Sequence, residues 1–87
     1  MSDTNPRIFK SQMQLSKLHD DQNTPIKPFC DWDGEGVVFF IDPRPGADWP
    51  HKCYYFAIGH GGLLVTSAQT RPPASGFYRL ATVKEHS

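Results

Sequence analysis

Hydrophobic positions along the chain fall into two regimes that meet at Phe29. Before it, Ile8, Phe9, Met13, Leu15 and Leu18 are spaced irregularly. Met13 and Leu15 alternate as on a strand, while Ile8, Leu15 and Leu18 share a helical face. Asn5-Pro6 supplies a capping side chain followed by proline at a first helical position, which tips the reading toward a short helix over 6–18. Residues Met1–Asn5 are polar and expected to fray. His19 to Pro28 reads as a connector, because Pro25 and Pro28 cannot donate to a ladder and restrict the residues before them.

After Phe29 the pattern turns to β. Val37-Val38-Phe39-Phe40-Ile41 is a continuous run of β-formers, suited to a strand buried on both faces or lying inside a small oligomer. Two prolines and a glycine in Asp42-Pro43-Arg44-Pro45-Gly46 end it and open a loop over Pro43–Pro50. Lys52–Ile58 reads as a second strand, Gly59-His60-Gly61-Gly62 as a turn, and Leu63–Ser67 as the returning arm of a hairpin. Arg71-Pro72-Pro73 breaks the chain again before a last strand over Phe77–Val83. The predicted fold is α+β: a small, mostly antiparallel β-sheet of about four strands with one short N-terminal helix. Such a sheet has exposed edges and an uncovered face, so pairing with further copies as a homo-oligomer is expected.

Composition sharpens this in three ways. A chain of 87 residues makes one domain over 1–87 and buries about two-thirds of its unfolded surface, so it needs its aromatics, 13% of residues, for a core. Nine Lys and Arg offset nine Asp and Glu, leaving no overall field to draw the chain onto a nucleic acid polymer or an anionic membrane. Cys30 and Cys53 are too few for a disulfide scaffold, and Met1–Lys10 lacks the apolar run of a signal peptide. No stretch approaches the ~20 apolar residues of a membrane span. These features predict a cytoplasmic protein with reduced thiols and no membrane partner.

Candidate chemistry is thin. Cys30, His51, Cys53 and His60 are zinc-ligand types, but a His-x-Cys pair with two isolated partners lacks the paired C-x-x-C spacing of a zinc site. Two small buried hydrophobes and two surface histidines explain them more simply. Nothing local activates either thiol, and Asp31 beside Cys30 opposes a thiolate. Asp31, Asp33 and Glu35 stand beside a turn, where carboxylates are ordinarily solvated charge. No catalytic residue, metal or cofactor is therefore expected. Gly34-x-Gly36 and Gly59-x-Gly61-Gly62 lie between β segments and not ahead of a helix, so positive φ in turns accounts for them better than phosphate binding. Close approach of backbone to a ligand is compatible with that reading. Trp32 and Trp49 sit among turn residues, where an indole either stacks on a ligand, anchors a partner or folds back over the core.

The turn Trp32-Asp33-Gly34-Glu35-Gly36, the apolar strand after it, and Ala68-Gln69-Thr70-Arg71 followed by Ala74 and Phe77 resemble the small phage proteins of the Thoeris anti-defence sponge family, second type. The resemblance spans Phe29 to Val83. It implies a non-enzymatic homo-oligomer that sequesters a nucleotide-derived immune signal, such as a cyclic nucleotide or a cyclic ADP-ribose isomer, in the host cytoplasm. It assigns Trp32 to base stacking, Gln69 and Thr70 to the pocket lining, and Phe9 to an N-terminal aromatic position. Gly34 and Gly36 form the turn, and Arg71, which stands where the family has an acidic residue, offers charge for a phosphate. The chain departs further at Asp33 and Glu35, where the family has an amide and a base. The competing expectation is a small inhibitor or immunity-type protein that binds a host protein target through Trp32, Trp49, Tyr54 or Tyr55 and an open sheet edge.

Overall fold

This computed structural model describes residues 6–62 and 64–80. Among them, five strands form one antiparallel sheet: β1 (Arg7–Gln14), β2 (Glu35–Asp42), β3 (Cys53–Gly59), β4 (Leu64–Gln69) and β5 (Tyr78–Arg79), in spatial order β4-β3-β2-β1-β5. Helical structure among the described residues is confined to single 3-10 turns at Leu15–Lys17, Phe29–Asp31 and His60–Gly62. The molecule is mostly β.

The expected N-terminal helix is a strand. β1 pairs with β2 over eight rungs, from Arg7↔Asp42 to Gln14↔Glu35, and with β5 at Phe9↔Arg79 and Lys10↔Tyr78. A cap-and-proline signal at Asn5-Pro6 is worth little beside a ladder on both sides, and the alternation seen at Met13 and Leu15 was the informative pattern. Phe9, Ser11 and Met13 face inward, and Ile8, Lys10 and Gln12 face outward. Of the two settings expected for β2, burial on both faces is not met within one chain. Only one of its faces is buried, by Gly36, Val38, Phe40 and Asp42, while Val37, Phe39 and Ile41 are half-buried on the other. The β3–β4 hairpin forms as read, closing through Gly61 and Gly62 at φ 84° and 85°. The fraying expected over 1–5, Leu63 at the start of the expected third strand, and the part of the expected last strand beyond Leu80 lie outside the described residues.

The inner face carries the core. Val38, Phe40, Cys53, Tyr55, Ala57 and Val65 from the sheet meet Leu15, Leu18, Ile26 and Phe29 from the chain between β1 and β2. That connector is ordered by 3-10 turns and by backbone and side-chain hydrogen bonds. Ile26 N–H donates to the Leu18 carbonyl, Asp20 Oδ1 accepts from the amides of Gln22 and Thr24, and Leu15 N–H donates to Gly34 O. Asp21 N–H to Pro72 O and Ala74 N–H to His19 O tie it to the segment after β4. The result is a slab of 43 × 30 × 18 Å, one sheet with one irregular covering layer. Among the described residues, the elements outside the sheet that join the core lie on its inner face.

Candidate functional site

Phe9 on β1, Phe40 on β2 and Phe77 ahead of β5, with Pro72, Pro73 and the Ser75–Gly76 turn, line an open cleft of about 220 Å³ at the margin of the covering layer. Each aromatic is there for a local reason. Phe9 and Phe40 are register partners on the inner face, with ring centroids 5.8 Å apart. Phe77 packs against the core from the segment between β4 and β5. Directly opposite residues of an antiparallel pair share a face, so the Phe9↔Arg79 rung places Arg79, exposed, beside the cleft.

Behind the cleft runs a continuous aromatic chain. Phe40 contacts Tyr55 at 5.0 Å and Trp49 at 6.3 Å, and Trp49 stacks on His51 at 3.9 Å with an interplanar angle of 15°. His51 ends this chain in a clasp. Its Nε2 lies 2.7 Å from Asp42 Oδ1 and its Nδ1 3.1 Å from the Asp48 carbonyl. Both partners are acceptors, so an imidazolium, with a proton on each nitrogen, is the form that satisfies them together. The hydrogen bond to Asp42 raises the His51 pKa from its ordinary value. Asp42 Oδ1 also accepts the Arg44 amide, which fixes the start of the loop over 43–50. Trp49 and His51 are thus structural parts of one clasp, and sequence reading, which took His51 as a surface residue, missed it. The signal was present as Asp42 and His51 flanking a proline-rich loop.

The other predicted residues fall in separate places. Trp32 follows the 3-10 turn at Phe29–Asp31 and is 39% exposed; it is not part of the cleft lining. Gly34 has φ 103°, as the turn requires. Gly36 serves a different purpose from the expected turn: a Cβ there would meet Ile58 O at 2.7 Å, so this glycine lets β3 approach β2. Gln69 Nε2 donates to Ser67 Oγ at 2.8 Å and to the Lys27 carbonyl at 3.3 Å, tying β4 to the covering connector. Thr70 is exposed. Arg71 makes a two-pronged pair with Asp21, which lowers the Asp21 pKa and raises its own. Its carbonyl accepts from Tyr55 Oη at 2.8 Å and from Cys53 Sγ at 3.3 Å. Arg71 therefore already acts as a brace between the two layers.

Burial pushes the Cys53 thiol up to about 12, so it stays protonated and packs as a small hydrophobe. Among the described residues, no three of His, Cys, Asp and Glu converge on a point where a metal would sit, and no helix is long and apolar enough to cross a membrane. In comparisons with known proteins, no family model, curated protein or solved structure matches this chain.

Proposed function

We propose that this chain is a non-enzymatic binding protein, an anti-defence sponge that sequesters a nucleotide-derived small molecule of the cyclic nucleotide or cyclic ADP-ribose type. The observation that carries this reading is the Phe9–Phe40–Phe77 cleft; Arg79 is the register partner of Phe9. An aromatic floor stacks on a base whatever its identity, at about 1–3 kcal/mol per base, and an adjacent arginine suits a phosphate. At about 220 Å³ the cleft is smaller than the ~300–1,000 Å³ of pockets that enclose a drug-sized ligand, so on this reading it takes one base and the rest of the ligand lies outside it. Binding is favoured over catalysis because both His51 nitrogens are engaged and burial disfavours the Cys53 thiolate.

The experiment is calorimetric titration with cyclic dinucleotides, cyclic trinucleotides and cyclic ADP-ribose isomers, with chromatographic recovery of the ligand. One of them binds and is recovered unchanged. Phe9→Ala and Arg79→Ala each weaken it at least tenfold, about 1.4 kcal/mol, with the circular dichroism spectrum preserved. Trp32→Ala keeps the affinity on this reading and abolishes it if the stacking face is the one the resemblance implies. No binding to any of the panel contradicts the proposal.

A second reading, inhibition of a host protein by direct binding, is favoured by one observation. Among the described residues β4 is an edge strand of the sheet, the kind of position at which a partner adds a strand. Retention of a host protein on the immobilised chain, with no small-molecule binding, distinguishes it.

A further inference from the structure

We infer that the outer face of the sheet is a self-interface, through which two copies of this chain stack sheet on sheet. The face is built by strict alternation. Ile8 of β1, Val37, Phe39 and Ile41 of β2, Tyr54, Phe56 and Ile58 of β3, and Leu64 and Ala68 of β4 all point away from the core. They form contiguous rungs, Val37↔Ile58↔Leu64, Phe39↔Phe56 and Ile8↔Ile41↔Tyr54↔Ala68. Ile8, Tyr54, Ile58 and Leu64 are 40, 39, 41 and 59% exposed, and the Phe39 and Phe56 rings lie 6.1 Å apart between them. Solvent-facing positions of a one-layer sheet are ordinarily polar; here Lys10, Gln12 and Gln14 of β1, Glu35 of β2 and Thr66 of β4 are polar, and the apolar patch is centred on β2 and β3.

Area and charge select the occupant. Four strands about 4.8 Å apart and roughly seven residues long present a plane of roughly 19 by 23 Å. At roughly 440 Å² this plane matches the largest apolar patches of monomers, which are often functional. It is about half of the ~800 Å² per partner of a standard interface, as fits a small, concentration-dependent dimer. Among the strand positions on this face the charged residues are Lys10 and Glu35, one of each sign. That balance gives no hold to an anionic lipid surface, which needs clustered cations, but it suits self-pairing.

A two-fold axis running along the strands between β2 and β3 lays β2 over β3 of the second copy. Phe39 then meets Phe56, Val37 meets Ile58 and Ile41 meets Tyr54. Glu35 faces His60, Lys10 faces Thr66, and no like charges oppose. The contact is isologous and closes at two copies, with the sheets in the aligned packing class. Because the Phe9 cleft opens on the inner side, the dimer leaves both clefts free, and the interface stands independently of any ligand.

The test is sedimentation equilibrium of the full chain. A mass twice 9.8 kDa at micromolar concentration is expected, and Ile58→Lys or Leu64→Glu shifts it toward monomer with at least tenfold weaker association. Tyrosine iodination of the wild-type chain supplies a check that needs no variant. Tyr54 becomes protected as concentration rises, whereas Tyr78, on β5 beyond the interface and 73% exposed, stays reactive. A monomer at every concentration up to about 100 μM, or a dimer that leaves Tyr54 reactive, overturns the inference. So does a dimer that persists undiminished in both folded variants, and so does a monomer that binds vesicles or a foreign protein through this face.

Discussion

His51 Nε2 stands 2.7 Å from Asp42 Oδ1, and this one contact fastens the end of the loop over 43–50 to the end of β2. Trp49 stacks on the same imidazole and passes the restraint to Phe40, which floors the cleft. The hydrogen bond to Asp42 raises the His51 pKa, aided by the Asp48 carbonyl and the Asp42 charge and opposed by burial and by Arg44. The charged form is therefore favoured by folding. Its contribution is fully present below the unfolded value of about 6.5 and fades as pH rises through the higher folded value. Melting temperature is expected to fall as pH rises above the ordinary histidine value of about 6.5 in the wild-type chain and to fall less in His51→Gln. Parallel curves for the two proteins would contradict the clasp. Asp21, whose pKa Arg71 lowers, titrates in acid and leaves this window clear.

Gly36 and Gly46 separate close packing from mere turn preference. Gly36→Ala puts a methyl 2.7 Å from Ile58 O and 3.0 Å from Gly59 Cα, both backbone atoms that do not yield cheaply. Overpacking of this kind costs about 1–3 kcal/mol. Gly46→Ala meets nothing within 4 Å and is expected to be neutral or to stabilise by up to ~1 kcal/mol through the unfolded chain. Urea denaturation of both variants reads the difference.

The two thiols differ in access. Cys53 is 0% exposed and kept protonated by burial, whereas Cys30 is partly accessible. A thiol-disulfide reagent at pH 8 is expected to modify Cys30 alone in the native protein and both cysteines in guanidinium. Rapid native modification of both would contradict the placement of Cys53 in the core.

Tyr55 joins the sheet to the segment after β4. Its hydroxyl donates to the Arg71 carbonyl at 2.8 Å, while its ring is fully buried between Phe29 and Phe40. Tyr55→Phe removes one hydrogen bond, worth about 0.5–1.5 kcal/mol. Tyr55→Ala removes the ring and is expected to cost about 3–5 kcal/mol. A larger loss for the Phe variant than for the Ala variant would contradict the assignment.

Legibility in the sequence followed the strength of the local signal. The hairpin around Gly61 and Gly62 was visible because positive φ demands glycine. β2 and β3 were visible as β-rich runs. β1 was missed because Asn5-Pro6 imitates a helix start, while the partner that makes it a strand, β2, lies some thirty residues further along the chain. The outer apolar face was half visible: the run Val37–Ile41 signalled burial on both sides, and a single chain supplies one. The braces Arg71–Asp21 and His51–Asp42 join residues whose pairing depends on how loops fold back, which spacing alone does not encode. The cleft was legible only at Phe9, since Phe40, Phe77 and Arg79 join it through strand register.

The measurement that bears most directly on the central claim is titration of the wild-type chain with the panel of cyclic nucleotides and cyclic ADP-ribose isomers, paired with Phe9→Ala. The account predicts saturable binding of one member, one ligand per chain, recovered unaltered and weakened at least tenfold in the folded Phe9→Ala protein. Absence of heat across the whole panel, or affinity indifferent to Phe9, would contradict it.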